Sequence, residues 1–97
     1  QILRRLVPEG SRSEWRDASG SIQLCEMHPH KDWFGTPIAE LEARTGSRVA
    51  FITRLGEGLI PDIHTVLQEG DLIHVTVRDE DIAKVEEILA RSPEDHS

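Results

Sequence analysis

Only one cysteine, Cys25, occurs in the 97 residues, so no intramolecular disulfide can staple the fold. That suits a reducing compartment and requires no oxidising one. No apolar run approaches the ~20 residues that cross a bilayer, and the start lacks the basic-then-apolar layout of a signal peptide. A soluble domain with no direct membrane insertion is expected. No cluster of Lys and Arg forms a basic patch either, because 18 acidic residues face 11 basic ones for a net charge of −7. Nucleic acid and anionic lipid surfaces are therefore poor partners. The pair Gly56 and Gly58 lacks the third glycine that would open a helix directly after a strand, so there is no dinucleotide fingerprint. No serine sits in a nucleophile-elbow context, and Asp62, His64 and Thr65 have no recognisable catalytic partner, so the chain does not read as an enzyme.

What is present is enough for one small domain, near the lower limit of length at which a single core suffices, and partner surface could supply part of its stability. The chain starts at Gln1 without a methionine, as a segment of a longer protein would, and the sequence leaves that question open. Residues 1–20 read as a linker or lead-in, with Trp15 anchoring a polar run to the core. Ser21–Met27 alternates, Ile22 and Leu24 against Gln23, Cys25 and Met27, as a strand does. Thr36-Pro37 starts a helix with a hydroxyl cap and a proline at its first position, and Gly46 ends it. Arg48–Arg54 is continuously apolar in its middle, which suggests a central strand covered on both faces.

After the turn at residues 55–58, Leu59-Ile60-Pro61 forms a brief strand at an end or edge, since proline cannot donate to a ladder. Residues 62–69 cross irregularly, and Gly70-Asp71 turns the chain into a strand at 72–77. There Ile73, Val75 and Val77 share one face, with Leu72, His74 and Thr76 on the other. Asp79 is the expected cap of a last helix reaching about Ala90, with Ile82, Val85, Ile88 and Leu89 as its apolar stripe. The sum is α+β: a small sheet of about four strands with two helices, in the order strand, helix, strand, strand, strand, helix, over residues 21–91. Residues 92–97 form a polar tail.

Three groups could carry chemistry. Cys25, His28 and His30, with His64 or His74, are metal-ligating types, but structural zinc sites show two paired clusters and only one is present here. Cys25 reads instead as a small buried hydrophobe, and His28 and His30 as solvated loop residues. The two hairpin glycines turn the chain. Arg54 ends an apolar strand and faces the return strand closed by Pro61, where a guanidinium could hold an anion or phosphate. The competing reading, which is favoured, is a salt bridge to Glu57, Asp62 or Asp71.

The stretch from Trp33 to Val77 resembles the C-terminal regulatory domain of the Trk/Ktr family of bacterial potassium uptake proteins, often called the RCK C-terminal or TrkA-C domain. The matching features are Gly35 to Gly46 around the helix, then Val49 to Arg54 as V-x-x-I-x-R. Gly58, Pro61 and Thr65-Val66-Leu67 follow, and then Leu67-Gln68-Glu69-Gly70-Asp71-Leu72 with its apolar strand behind it. The resemblance covers Ser21 to about Leu89 and implies a non-enzymatic regulatory domain of a potassium or other cation transport system. It implies a homodimer, a cytoplasmic position at the inner face of the membrane held through partner subunits, and a membrane channel or transporter as partner.

It further implies that NAD or ATP would bind a Rossmann-type domain outside this segment. Some members bind cyclic di-AMP between two such domains. The matching positions here are Arg54, Ile60 and Pro61, with His64 nearby. A free-standing small-molecule sensor acting on another transporter or an enzyme is the alternative.

Overall fold

The computed structural model describes residues 11–93. Five strands, β1 (Ser11–Arg16), β2 (Ile22–Met27), β3 (Arg48–Arg54), β4 (Glu57–Leu59) and β5 (Leu72–Arg78), form one antiparallel sheet in the order β1-β2-β5-β3-β4. Two α-helices, α1 (Ile38–Thr45) and α2 (Ile82–Ala90), accompany the sheet among the described residues. The expected α+β class is thus present, with one more strand than the sequence suggested.

The alternation in β2 and β5 decides which sheet face meets the helices. Cys25 and Met27 from β2 and Ile73, Val75 and Val77 from β5 point inward, where Ile38 and Leu41 of α1 and Ile82, Val85 and Leu89 of α2 cover them. Each fully buried aliphatic contributes roughly 1.5–3 kcal/mol, so this layer is the main source of stability. Trp33, at 0% exposure, closes one end of the core. Its indole N–H donates to the Arg91 carbonyl at 2.7 Å, and the Arg44 guanidinium lies 5.3 Å from the ring centroid.

Several expectations change in detail. Ser11–Arg16, expected as linker, is the edge strand β1, paired with β2 from Ser11↔Met27 to Arg16↔Gln23. Its charged, serine-containing sequence hides a strand that exists because β2 offers it a free edge. Trp15 does not anchor the core: it stands 54% exposed on that edge. The apolar run in β3 comes from a register shift between Val49 and Phe51 rather than from two covered faces. That bulge leaves Ala50 exposed while Val49 and Ile52 both point inward.

Pro37 takes the cap position of α1 with no side-chain cap, and Gly46 closes the helix at φ 75 with its N–H on the Glu42 carbonyl. Asp79 does not cap α2 directly. A 3-10 turn at Asp79–Asp81 intervenes, and the Asp79 carboxylate accepts from Gln23 and Arg16 instead. The brief strand expected at Leu59-Ile60-Pro61 lies at Glu57–Leu59, leaving Ile60 and Pro61 in the loop that follows. Gln1–Gly10 and Glu94–Ser97, which include most of the expected lead-in and tail, lie outside the described residues.

Candidate functional site

The site is built on the hairpin between β3 and β4 and the loop that returns from it. Arg54 pairs with Glu57 across a two-residue turn, Leu55-Gly56, with φ 53 and 80. Both central residues at positive φ match the hairpin turn whose twist suits flanking strands, and such a turn is served best by Asn-Gly or Asp-Gly. Leucine is a poor occupant, since its Cβ crowds the following carbonyl in the left-handed region. Leu55 is also 96% exposed, so it gains nothing from burial within its own chain.

Beyond β4, Ile60 and Ile63 are 81% and 77% exposed, in a loop held by its own polar groups. The Asp62 carboxylate accepts the His64 N–H at 2.8 Å and the Thr65 hydroxyl at 3.1 Å. These bonds, the His64 backbone foremost, keep the Asp62 carboxyl below the usual carboxylate range. The group once weighed as hydrolytic is therefore a turn that caps itself. Further on, Ile38 N–H reaches the Thr65 carbonyl, Leu67 N–H the Thr36 carbonyl and Gly35 N–H the Leu67 carbonyl. These bonds fasten residues 65–67 to the start of α1, with Leu67 buried at 0% exposure.

Arg54 takes the favoured partner among the three acids considered. Its Nε donates to Asp71 Oδ1 at 3.0 Å and its Nη2 to Asp71 Oδ2 at 2.9 Å, a bidentate fork, while Nη2 also donates to the Val66 carbonyl at 3.1 Å. The Asp71 side chain is wholly buried and that of Arg54 is 28% exposed. Burial pushes the Asp71 carboxyl up. The Arg54 hydrogen bonds, the Gln68 N–H and the Arg54 charge outweigh it and hold the group below the ordinary range. Arg54 ends β3, and Ile60, Pro61 and His64 lie in the loop after β4, but the guanidinium turns toward Asp71 and the Val66 carbonyl rather than toward Pro61. Leu55, Ile63 and Asp71 were not singled out from the sequence as site residues. Leucine where the turn prefers Asn or Asp was the one available signal.

The metal-ligating types are not brought together. Cys25 lies in the core with its thiol pushed up to about 11, chiefly by burial. His28 pairs with Glu26 at 3.3 Å, and His30 accepts the Asp32 N–H at 3.0 Å. His74 is placed on the opposite sheet face, stacked on Phe51 at 4.0 Å, with Thr53 and Glu14 each 2.8 Å from one ring nitrogen. Glu14 reaches it from the register shift in β1. Among the described residues no group of three His, Cys, Asp or Glu could hold a metal, and no buried side-chain N or O lacks a partner. No helix of the described residues is long and apolar enough to cross a membrane.

Two helices on one face of an antiparallel sheet, with exposed aliphatics gathered on an edge hairpin and loop, define a small α+β module that offers a contact surface. The TrkA-C domain sequence model matches residues 26–90, and the chain belongs to that family. It is 50% identical over 95 residues to the Trk system potassium uptake protein TrkA of Streptomyces coelicolor, covering 98% of this chain and 43% of that protein. The chain thus spans less than half the length of that relative.

Among solved structures it is similar to the GsuK RCK domain, with a TM-score of 0.65 and 28% identity over 81% of this chain and 18% of that one. The GsuK channel bound to NAD matches with a TM-score of 0.65 and 26% identity over 94% of this chain and 18% of that one. The resemblance read from Val49–Arg54 and Leu67–Leu72 is thereby confirmed.

Proposed function

We propose that this chain is the regulatory, non-catalytic module of a potassium uptake protein, acting in the cytoplasm beneath a membrane channel or transporter subunit. Two copies pair through the hairpin and loop of residues 55–66, and a small ligand at that junction biases the pairing. The carrying observation is the set of exposed aliphatics Leu55, Ile60 and Ile63 on the hairpin turn and on a loop whose Asp62, His64 and Thr65 hydrogen-bond to one another. Folding alone gives no reason to expose them, whereas an interface would bury them. The sheet face of Leu72, His74 and Thr76 suits pairing less, because His74 is only 5% exposed and already partnered.

Family membership and the relative named as a potassium uptake protein support the biological setting. NAD or ATP belongs on a Rossmann-type domain outside this segment, since no G-x-G-x-x-G occurs here. Cyclic di-AMP is the ligand to try at the junction, with Ile60, Pro61 and His64 as contacts.

A ligand shifts such an equilibrium only by its differential affinity for the paired and unpaired forms. Binding and dimerisation must therefore move together. Sedimentation at tens of micromolar should show a dimer that cyclic di-AMP tightens, with calorimetry against ATP and NAD as controls. A monomer insensitive to all three would sink the proposal.

A further inference from the structure

We propose that Asp71 is a positioning residue of this site, and that Arg54 acts through it on the loop rather than as a receptor for an anion. The inference rests on the reading above that residues 55–66 are the working surface. An arginine has five N–H donors, and three of those on Arg54 are committed, two to Asp71 and one to the Val66 carbonyl. The Asp71 carboxylate in turn accepts the Gln68 N–H at 2.9 Å, and the Asp71 N–H donates to the Gln68 carbonyl at 3.0 Å. One buried carboxylate thus ties the end of β3 to the turn at residues 68–71. The guanidinium it holds in place donates to the Val66 carbonyl, which ties the end of β3 to the last residues of the exposed loop as well.

Electrostatics point the same way. The Arg54 charge is balanced by a carboxylate with no exposure, and the exposed carboxylates nearest in the chain, Glu57 and Asp62, add negative charge. A phosphate approaching Arg54 would compete with a bidentate, desolvated partner. What the loop offers instead is Ile60, Ile63 and Pro61, whose placement depends on where residues 66–71 are held. The contacts the loop itself supplies are therefore apolar, and the Arg54–Asp71 pair sets their geometry.

The two roles for Arg54 give opposite signs in one variant. Asp71→Asn keeps the shape but removes the charge that occupies the guanidinium. A positioning role predicts that self-association and cyclic di-AMP binding weaken about tenfold or more, the scale of a lost charge-assisted hydrogen bond. It also predicts that inorganic phosphate remains unbound, and that Arg54→Lys, which cannot form the fork, behaves likewise. Tighter cyclic di-AMP binding, or new phosphate binding, in Asp71→Asn would overturn the proposal and make Arg54 an anion receptor. Unchanged association and binding with only a lower melting temperature would reduce Asp71 to a structural role.

If the wild type neither pairs nor binds, the functional reading fails and the positioning claim is decided by amide exchange. Asp71→Asn should then speed exchange at His64 and Gln68 about tenfold relative to amides of β2 and β5. Equal exchange would end the claim.

Discussion

The two ends of β5 each hold an arginine–aspartate pair. At the start, Arg54 and Asp71 meet in a fork whose carboxylate is fully buried. At the finish, Arg16 and Asp79 meet at 2.8 Å, with both side chains more than two-fifths exposed, at 46% and 43%. The chemistry is the same and the consequences differ. In water the ions lose little by separating, so the exposed pair adds little. The buried carboxylate has no water to fall back on, so everything touching Asp71 is constrained by it. One pair decorates an edge, while the other fixes the geometry of a loop.

The sharpest break of this comparison is Arg54→Ala, which strands a buried carboxylate and should cost about 3 kcal/mol in urea denaturation, because removing one partner leaves the other uncompensated. A loss too small to resolve would mean that Asp71 finds solvent and that the contrast is false. Next comes the loop itself. Ile63→Asp, at a position 77% exposed, should weaken self-association about tenfold or more while barely moving the melting temperature. Equal loss of both would show that Ile63 packs on its own chain.

Smaller, and opposite in sign for stability, is Leu55→Asn. Relieving a leucine at φ 53 should stabilise the chain by about 1 kcal/mol, as a higher midpoint, yet weaken pairing. A stabilised variant that pairs normally would remove Leu55 from the surface.

Acid tests the buried pair. The folded Asp71 carboxyl titrates below its ordinary 3.8, so its contribution is present above that value and is lost as pH falls through the lower folded value. The midpoint difference between wild type and Asp71→Asn should therefore close only in strong acid. A gap that closed near neutral pH would contradict the assignment. The smallest expected effect is Arg16→Ala, whose melting curve should overlay that of the wild type. A clear downward shift would place the Arg16–Asp79 pair in the same class as its buried counterpart.

Much of the fold was legible from periodicity. β2 and β5 announced themselves through alternation, β3 through its apolar run, α1 through Pro37 and the closing Gly46, and α2 through the spacing of Ile82, Val85 and Leu89, because each buries one face against the same core, while the expected caps Thr36 and Asp79 do not cap their helices. β1 was not legible. An edge strand needs no apolar face of its own, only a partner, and Ser11–Arg16 borrows that from β2. Trp15 and Trp33 show the same limit: two tryptophans in polar surroundings, one exposed on an edge and one sealed under Arg44, separated only by where the chain folds. Of the site, Arg54, Ile60, Pro61 and His64 could be named from the sequence, whereas Leu55 and Ile63 required exposure to be known.

What the amino-acid order determined by itself is the α+β class, the helix boundaries at Pro37 and Gly46, the hairpin at Gly56 and membership of the TrkA-C family. Local spacing suffices for the helix boundaries and the hairpin, which depend on neighbours a few residues apart, and the class and the family follow from the order of such segments along residues 26–90. What only the tertiary structure decided is which acid Arg54 takes. Glu57 and Asp62 are closer along the chain, yet Asp71, 17 residues away, wins because β5 lies beside β3 and delivers its carboxylate into the buried space beside the end of that strand. A charge pair is selected by desolvation and geometry, and neither can be read from sequence distance.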